Sequence, residues 1–118
     1  MTVKEVAQGL VGLCNSGHFE QAMNDFYADD IVSVEPEGEN AVAKGIEAVR
    51  AKGEWWYANF TVNSVSIQGP YINGDQFIVY FSLDVTEKAS GKQIPMNEAA
   101  LYTVKDGKIV HESFFNAM

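Results

Sequence analysis

The part of the sequence after Phe60 alternates apolar and polar residues and is divided by short turn signals. Asn73-Gly74 and Asp106-Gly107 are typical of two-residue β-hairpin loops, because such loops need positive φ at their central positions. Ser90-Gly91 is a third turn signal, and residues 77–85 alternate strictly. Since successive side chains of a strand point to opposite faces of the sheet, this pattern predicts an antiparallel meander of four strands.

A change of phase in the first of these strands predicts that the sheet is curved. Phe60 and Val62 alternate in one phase, whereas Val65 and Ile67 alternate in the other. A β-bulge near Asn63-Ser64 would produce this change, because one extra residue in a strand exchanges its two faces and bends it.

The first sixty residues are patterned mainly as helices. Thr2 and Glu5 have the spacing of a capping box, so a helix is expected over residues 2–16. Apolar residues at helical spacing predict a second helix over 19–27 and a third over 44–58, with a strand over 31–35 between them. The order is α-α-β-α followed by the meander. We therefore expect residues 1–118 to form one α+β domain, in which three N-terminal helices pack on a curved antiparallel sheet.

The last hairpin sets the expected register of the final two strands. A two-residue loop at Asp106-Gly107 would pair Leu101 with Glu112. Leu101 and Glu112 would then share one face of the sheet, and Glu98 would lie on the other. Both faces carry apolar residues, so alternation alone does not show which one is buried.

Composition and charge exclude several classes of function. The formal net charge is −8, and every charged residue between Lys4 and Lys44 is acidic, so nucleic acids and anionic membranes are not expected partners. No apolar run approaches the roughly 20 residues of a membrane helix. The N-terminus lacks a signal-peptide pattern, and the single cysteine, Cys14, predicts a reducing, cytoplasmic location. No phosphate-binding loop or cluster of metal ligands occurs, so neither a cofactor nor a metal is expected.

Two segments carry a resemblance to a known family. The run at 26–38, FYADDIVSVEPEG, resembles the helix-to-strand segment of ketosteroid isomerases and of SnoaL-like polyketide cyclases, within the nuclear transport factor two-like superfamily. The closing run at 106–110, DGKIV, is similar to the last strand of that superfamily. The resemblance implies a cone-shaped sheet that encloses a pocket for a small molecule.

The resemblance also implies roles for three carboxyl groups. Glu35 stands where the isomerases have their general base, and Glu112 stands at a pocket-lining position of the last strand, which implies that Glu112 points inward. Glu98 is the nearest counterpart of the acid that donates a hydrogen bond to the substrate oxyanion, although it reaches the pocket only if a bulge intervenes. Leu10 replaces the tyrosine of the first helix, which is the main oxyanion donor in the isomerases.

Physical reasoning supports the same carboxyl groups independently. Carboxyls in an apolar cavity have raised pKa values, and neighbouring ones cannot all ionise cheaply, so one holds a proton while another acts as a base; ketosteroid isomerase is a standard example. Glu35, Glu112 and Glu98 are therefore the candidate catalytic residues. The candidate ligand-binding residues are Trp56, Tyr57, Leu101 and Phe114.

Three hypotheses for function follow. The first is an acid/base enzyme for a carbonyl compound, with Glu35 as the base and Glu112 or Glu98 as the acid. The second is a module that binds a small apolar ligand without chemistry. The replacement of the family's tyrosine by Leu10 favours this hypothesis. The third is a structural dimerisation domain whose interior is filled by its own side chains. A homodimer is expected in any case, because Ile78 and Tyr80 make the outer face of the sheet partly apolar.

Overall fold

Three helices and six strands build the domain, and the computed structural model describes them through residues 1–38 and 41–116. They confirm the predicted order of elements, with one short extra strand, β2. The elements are α1 (Val3–Asn15), α2 (Phe19–Phe26), β1 (Tyr27–Val34), β2 (Val42–Lys44), α3 (Ile46–Asn59), β3 (Phe60–Asn73), β4 (Gln76–Glu87), β5 (Gln93–Lys105) and β6 (Lys108–Asn116).

The strands form one sheet in the order β2-β1-β6-β5-β4-β3. The predicted antiparallel meander is confirmed for β3 to β6. The sheet is nevertheless mixed, because β1 pairs with β6 in the parallel direction. Parallel neighbours need a long connection, and here α3 and the first three meander strands supply it. The first strand was also predicted too short: Tyr27 belongs to β1 and not to α2.

The first helix begins at the predicted capping box. Thr2 Oγ1 accepts a hydrogen bond from the Glu5 backbone N–H at 3.1 Å, and Glu5 Oε1 accepts one from the Thr2 N–H at 2.9 Å. The predicted apolar stripe of α1 is buried at Val6, Leu10 and Cys14. This stripe and the inward side chains of β4 form the core, so the interior of the cone starts beneath α1.

The predicted bulge in the third strand is present. Val62 pairs with Val85 and Ser64 with Asp84, so Asn63 is the extra residue. A second irregularity lies between Gln68 and Tyr71. Interruptions of this kind bend a strand, so the long strand β3 is curved.

The register predicted for the last hairpin is wrong beyond its first pairs. Lys105 pairs with Lys108 as expected, but Thr103 pairs with His111, which leaves Val110 as an unpaired bulge residue. Glu112 consequently lies opposite Tyr102 and not opposite Leu101.

The bulge at Val110 changes which residues of β6 face the core. Ile109 and Glu112 are both buried although they are three residues apart, because the extra residue exchanges the faces of the strand between them. Glu98, Ala100 and Tyr102 alternate on the same inner face of β5. The bulge that Glu98 required is therefore present, and Glu98 shares a face with Glu112.

We expect insertion of one alanine between His111 and Glu112 to destabilise the domain strongly. The extra residue would turn Glu112 to the outer face of the sheet, so its buried contacts would be lost. Removing one partner from a buried charged network costs about 3–5 kcal/mol, and urea unfolding would measure it. The matched control is Val110→Ala, which leaves the length of β6 unchanged and should cost much less. An insertion variant as stable as this control would contradict the importance of the register.

Candidate functional site

A cavity of about 1090 Å³ lies between the helices and the inner face of the sheet. Pockets for drug-sized ligands measure about 300–1,000 Å³, so the cavity has room for a ligand of several fused rings. Most of its lining is apolar, from residues such as Leu10, Met23, Phe81, Leu83 and Met96. The hypothesis of an interior filled by its own side chains does not agree with a space of this size.

The most buried carboxyl group of the cavity is that of Glu112, a residue that is only 2% exposed. It accepts hydrogen bonds from the hydroxyl of Tyr27 and, at 2.8 Å, from that of Ser33. The parallel pairing of β1 with β6 places Ser33 directly beside Glu112. Burial raises the pKa of Glu112, while the two hydroxyl donors oppose the rise.

Lys52 joins this buried group to Glu35. Its Nζ atom donates a hydrogen bond to Ser33 Oγ and another to Glu35 Oε1, the latter at 2.8 Å. The ion pair is partly exposed, with 27% of the Lys52 side chain and 35% of the Glu35 side chain accessible. A continuous polar network therefore runs from Tyr27 through Glu112, Ser33 and Lys52 to Glu35.

Glu98 lies in the same cavity but outside this network. Its backbone pairs with Phe81 on β4, and no hydrogen bond joins its carboxyl to another described side chain. Burial raises the pKa of Glu98 to about 7, with smaller contributions from the charges of Glu35 and Glu112, and Lys52 opposes the rise. Near neutral pH this carboxyl can therefore hold or release a proton.

Aromatic side chains from the end of α3 and the start of β3 form the wall near the opening. The rings of Trp56 and Phe60 stack with centroids 5.4 Å apart, and the ring of Tyr57 meets Trp56 edge-on at the same distance. Trp55 and Tyr57 are exposed and line the cavity, so they mark its mouth.

The structure brings together all but one of the residues singled out from the sequence. Glu35, Glu98 and Glu112 line the cavity, as do Trp56, Tyr57 and Phe114. Their catalytic and binding roles stay predictions. Leu101 was wrongly placed, because the bulge at Val110 moves Glu112 opposite Tyr102 and leaves Leu101 on the outer face, between Ile78 and Ser113.

Three residues of the network were missed from the sequence. Lys52 lies three residues after Val49 and four before Trp56, so it was detectable as a lone cation within the apolar stripe of α3. Ser33 lies two residues after Ile31 and two before Glu35, so the period of a strand places all three side chains on the same face. Tyr27 carried no such signal, because its pattern also fitted the end of α2.

Two further observations limit the chemistry of the site. Cys14 lines the cavity, but burial and, to a lesser degree, the charge of Glu112 raise the pKa of its thiol to about 12, so it is not a thiolate nucleophile at neutral pH. Among the described residues, no three metal-ligating side chains cluster.

No described helix has the length and apolar character needed to cross a membrane.

The sequence and the fold have clear relatives. The model of the SnoaL-like domain family matches residues 1–116. A candidate SnoaL-like polyketide cyclase of Mesorhizobium loti, which is also described as a carbohydrate phosphatase, is 46% identical. The match covers 98% of this chain and 99% of that one, with a TM-score of 0.93. No curated protein matches the chain significantly.

More distant structures share the fold. A candidate SnoaL-like polyketide cyclase of Jannaschia sp. CCS1 has a TM-score of 0.78 at 18% identity, over 96% of this chain and 83% of that one. TerC, crystallised with polyporic acid, has a TM-score of 0.77 at 14% identity, over 98% and 91% of the two chains. Because the family model spans nearly the whole sequence and the Mesorhizobium relative is similar throughout, the chain belongs to the SnoaL-like domain family.

Proposed function

We propose that this protein is an acid/base enzyme that acts on a small, largely apolar carbonyl compound. The observation that carries the proposal is the Glu98 carboxyl, which lies in an apolar cavity with a pKa of about 7 and with other carboxyl groups nearby. A group that titrates near the working pH is the most effective general acid or base.

In the proposed reaction Glu35 removes a proton from the carbon next to the carbonyl. The C–H bond breaks, the proton passes to the Glu35 carboxylate, and the electron pair moves through the new C=C bond onto the carbonyl oxygen. The protonated Glu98 carboxyl donates a hydrogen bond to the oxygen as negative charge develops there. In a compound with a β,γ-double bond the enolate is conjugated, and return of the proton to its γ-carbon would move the double bond to the α,β-position. In a compound with a second carbonyl, attack of the enolate α-carbon on that carbonyl would close a ring.

Between the two candidate acids, the contacts favour Glu98 over Glu112. The Glu112 oxygens already accept hydrogen bonds from Tyr27 and Ser33, and its side chain is almost completely buried. Glu112 is therefore assigned as a positioning residue, which holds Ser33 and, through Ser33, the amine of Lys52.

The relatives support a polycarbonyl substrate. Those from Mesorhizobium and Jannaschia are described as candidate polyketide cyclases, and TerC was crystallised with polyporic acid. A polyketide carries repeated carbonyls, so its ring closure by aldol addition begins with the proton abstraction proposed for Glu35. The aromatic wall at Trp56 and Phe60 suits flat, conjugated rings of this kind.

A binding module without chemistry is the second candidate. Leu10 lines the cavity where the resemblance implies a tyrosine that donates to the oxyanion, so one donor of the isomerase arrangement is missing. Reversible binding without proton transfer would then be the whole function, and the same cavity would serve it.

We expect Glu35→Gln to abolish proton abstraction. The probe is 2-tetralone, an apolar ketone whose α-hydrogens exchange with deuterium from D₂O, and NMR follows the exchange. Loss of a general base lowers a rate about 10²–10⁴-fold, so enzyme-dependent exchange should fall by at least 100-fold. The control is Glu37→Gln, which changes an exposed carboxyl of the cavity lining. Equal exchange by wild type and Glu35→Gln would refute the assignment, and no exchange by wild type would favour the binding module.

Glu98 should also make stability depend on pH in a defined direction. Its folded pKa of about 7 lies above the value of about 4.3 for an exposed glutamate. Its stabilising contribution to the free energy of unfolding is therefore fully present below about pH 4.3 and is lost as pH rises through about 7. Urea unfolding at a series of pH values should show the free energy of unfolding falling over this window in wild type and much less in Glu98→Gln. Parallel pH profiles for the two proteins would show that Glu98 is not protonated at neutral pH.

We further propose a homodimer through the outer face of the sheet. Tyr71, Ile78 and Leu101 lie side by side on three adjacent strands of that face, and Tyr80 and Phe115 flank Ala99 in the next row. Tyr71, Ile78 and Phe115 are exposed, with relative accessibilities of 58%, 43% and 53%. A contiguous apolar patch of this kind is typical of protein interfaces.

Sedimentation velocity should therefore show a dimer for wild type and a monomer for Ile78→Lys/Phe115→Asp. The control is Trp55→Ser, which removes an equally exposed aromatic side chain at the cavity mouth and should leave the dimer intact. A monomeric wild type at micromolar concentration would contradict the proposed interface.

A further inference from the structure

We propose that Lys52 is the group that binds the ligand oxygen, and that it selects ligands whose oxygen gains negative charge in the site over permanent anions. This inference rests on the proposed function for the ligand class, a carbonyl compound or its enol. It adds a specific donor, a preferred orientation of the ligand and a charge selectivity.

The hydrogen bonds of Lys52 leave one donor for a ligand. An ammonium group has three N–H bonds, and the described contacts use two of them, to Ser33 Oγ and to Glu35 Oε1. Lys52 lines the cavity and is only 27% exposed. The ring of Phe114 lies 5.2 Å from Nζ and lines the cavity beside it. A ligand oxygen placed next to Phe114 can therefore accept the remaining N–H.

The surrounding contacts hold the ammonium group in position before a ligand arrives. Ser33 donates its own hydroxyl proton to Glu112, so its oxygen lone pairs are free to accept from Lys52. One turn earlier on α3, Val49 is buried and anchors the helix against the core. A donor whose position is fixed in advance stabilises developing charge without a cost for its own rearrangement.

The charges around Lys52 determine which kind of ligand oxygen can approach its ammonium group. The carboxyls that line the cavity are Glu35, Glu98, Glu112 and, near the mouth, Glu37; Lys44 is the second cation of the lining. A permanent carboxylate or phosphate would bring a further negative charge into a lining of four carboxyl groups and two lysines. A neutral carbonyl avoids this repulsion on entry, and its oxygen then meets the ammonium as charge develops.

This arrangement also orients the substrate for the proposed reaction. With the carbonyl oxygen on Lys52, the adjacent carbon lies towards Glu35, because Lys52 and Glu35 are in direct contact. Glu98 would then donate to the same oxygen or return the proton at another carbon. Lys52 and Glu98 share the stabilisation of one oxyanion in this scheme.

The test uses 4-nitrophenol, a neutral aromatic that fits an apolar cavity and whose ionised form has its own absorbance band. We expect bound nitrophenol to ionise at lower pH in wild type than in Lys52→Met, by about one pH unit, which is a tenfold change in its ionisation equilibrium. Lys52→Arg should restore most of the shift. The control is Lys105→Met, which removes an exposed lysine of β5 outside the cavity lining and should leave the equilibrium unchanged.

A second variant tests the proposal if Lys52→Met does not fold. Glu35→Gln removes the carboxylate that neutralises Lys52, so bound nitrophenol should ionise at lower pH than in wild type and at lower pH than in Glu37→Gln, which removes a lining carboxyl outside this ion pair. Equal ionisation in wild type and Lys52→Met, or equal shifts in Glu35→Gln and Glu37→Gln, would overturn the proposal, as would a Glu35→Gln shift to higher pH.

The nitrophenol titration does not depend on turnover. If 2-tetralone fails to exchange while nitrophenol ionisation still depends on Lys52, the enzyme proposal fails and Lys52 stands as a ligand-binding residue. If exchange occurs while ionisation is independent of Lys52, the enzyme proposal stands and the Lys52 proposal fails.

Discussion

The site depends on one buried carboxyl group, that of Glu112. A carboxylate removed from water is costly unless it is hydrogen-bonded, and here Tyr27 and Ser33, both on β1, satisfy it. The same contacts join β1 to β6 at the only parallel pairing within the described sheet. They also hold Ser33 in the orientation that receives Lys52. The same side chains therefore stabilise the pairing of β1 with β6 and fix the geometry of the site.

The cavity assigns different environments to chemically identical groups. Glu112 is buried and bonded to two hydroxyls, Glu35 is half-buried and paired with Lys52, and Glu98 faces an apolar space without a partner among the described side chains. Environment, rather than residue type, therefore distinguishes these three carboxyl groups. This separation is the physical basis of the proposed acid/base chemistry.

The architecture explains why the cavity stays open. α3 buries only Val49 and rests on β1, β2 and the start of β3, so it spans the inner face of the sheet instead of filling it. The bulge at Asn63 bends β3, and the aromatic residues at the end of α3 form the wall near the mouth. A large apolar space beneath a lightly buried helix is suited to a ligand that enters from one end.

The sequence by itself determined the elements, the meander, the bulge at Asn63 and the class of fold, because caps, turns and alternation are local properties of the chain. It also singled out Glu35, Glu98 and Glu112, although the predicted register put Leu101 in the pocket and Glu98 outside it. Only the tertiary structure decided which of these residues face the pocket. The bulge at Val110 has no local signal in the sequence and depends on how β6 fits between β5 and β1. The partnership of Lys52 with Glu35 was decided in the same way, because it joins a helix to a strand across the cavity and leaves no trace in local spacing.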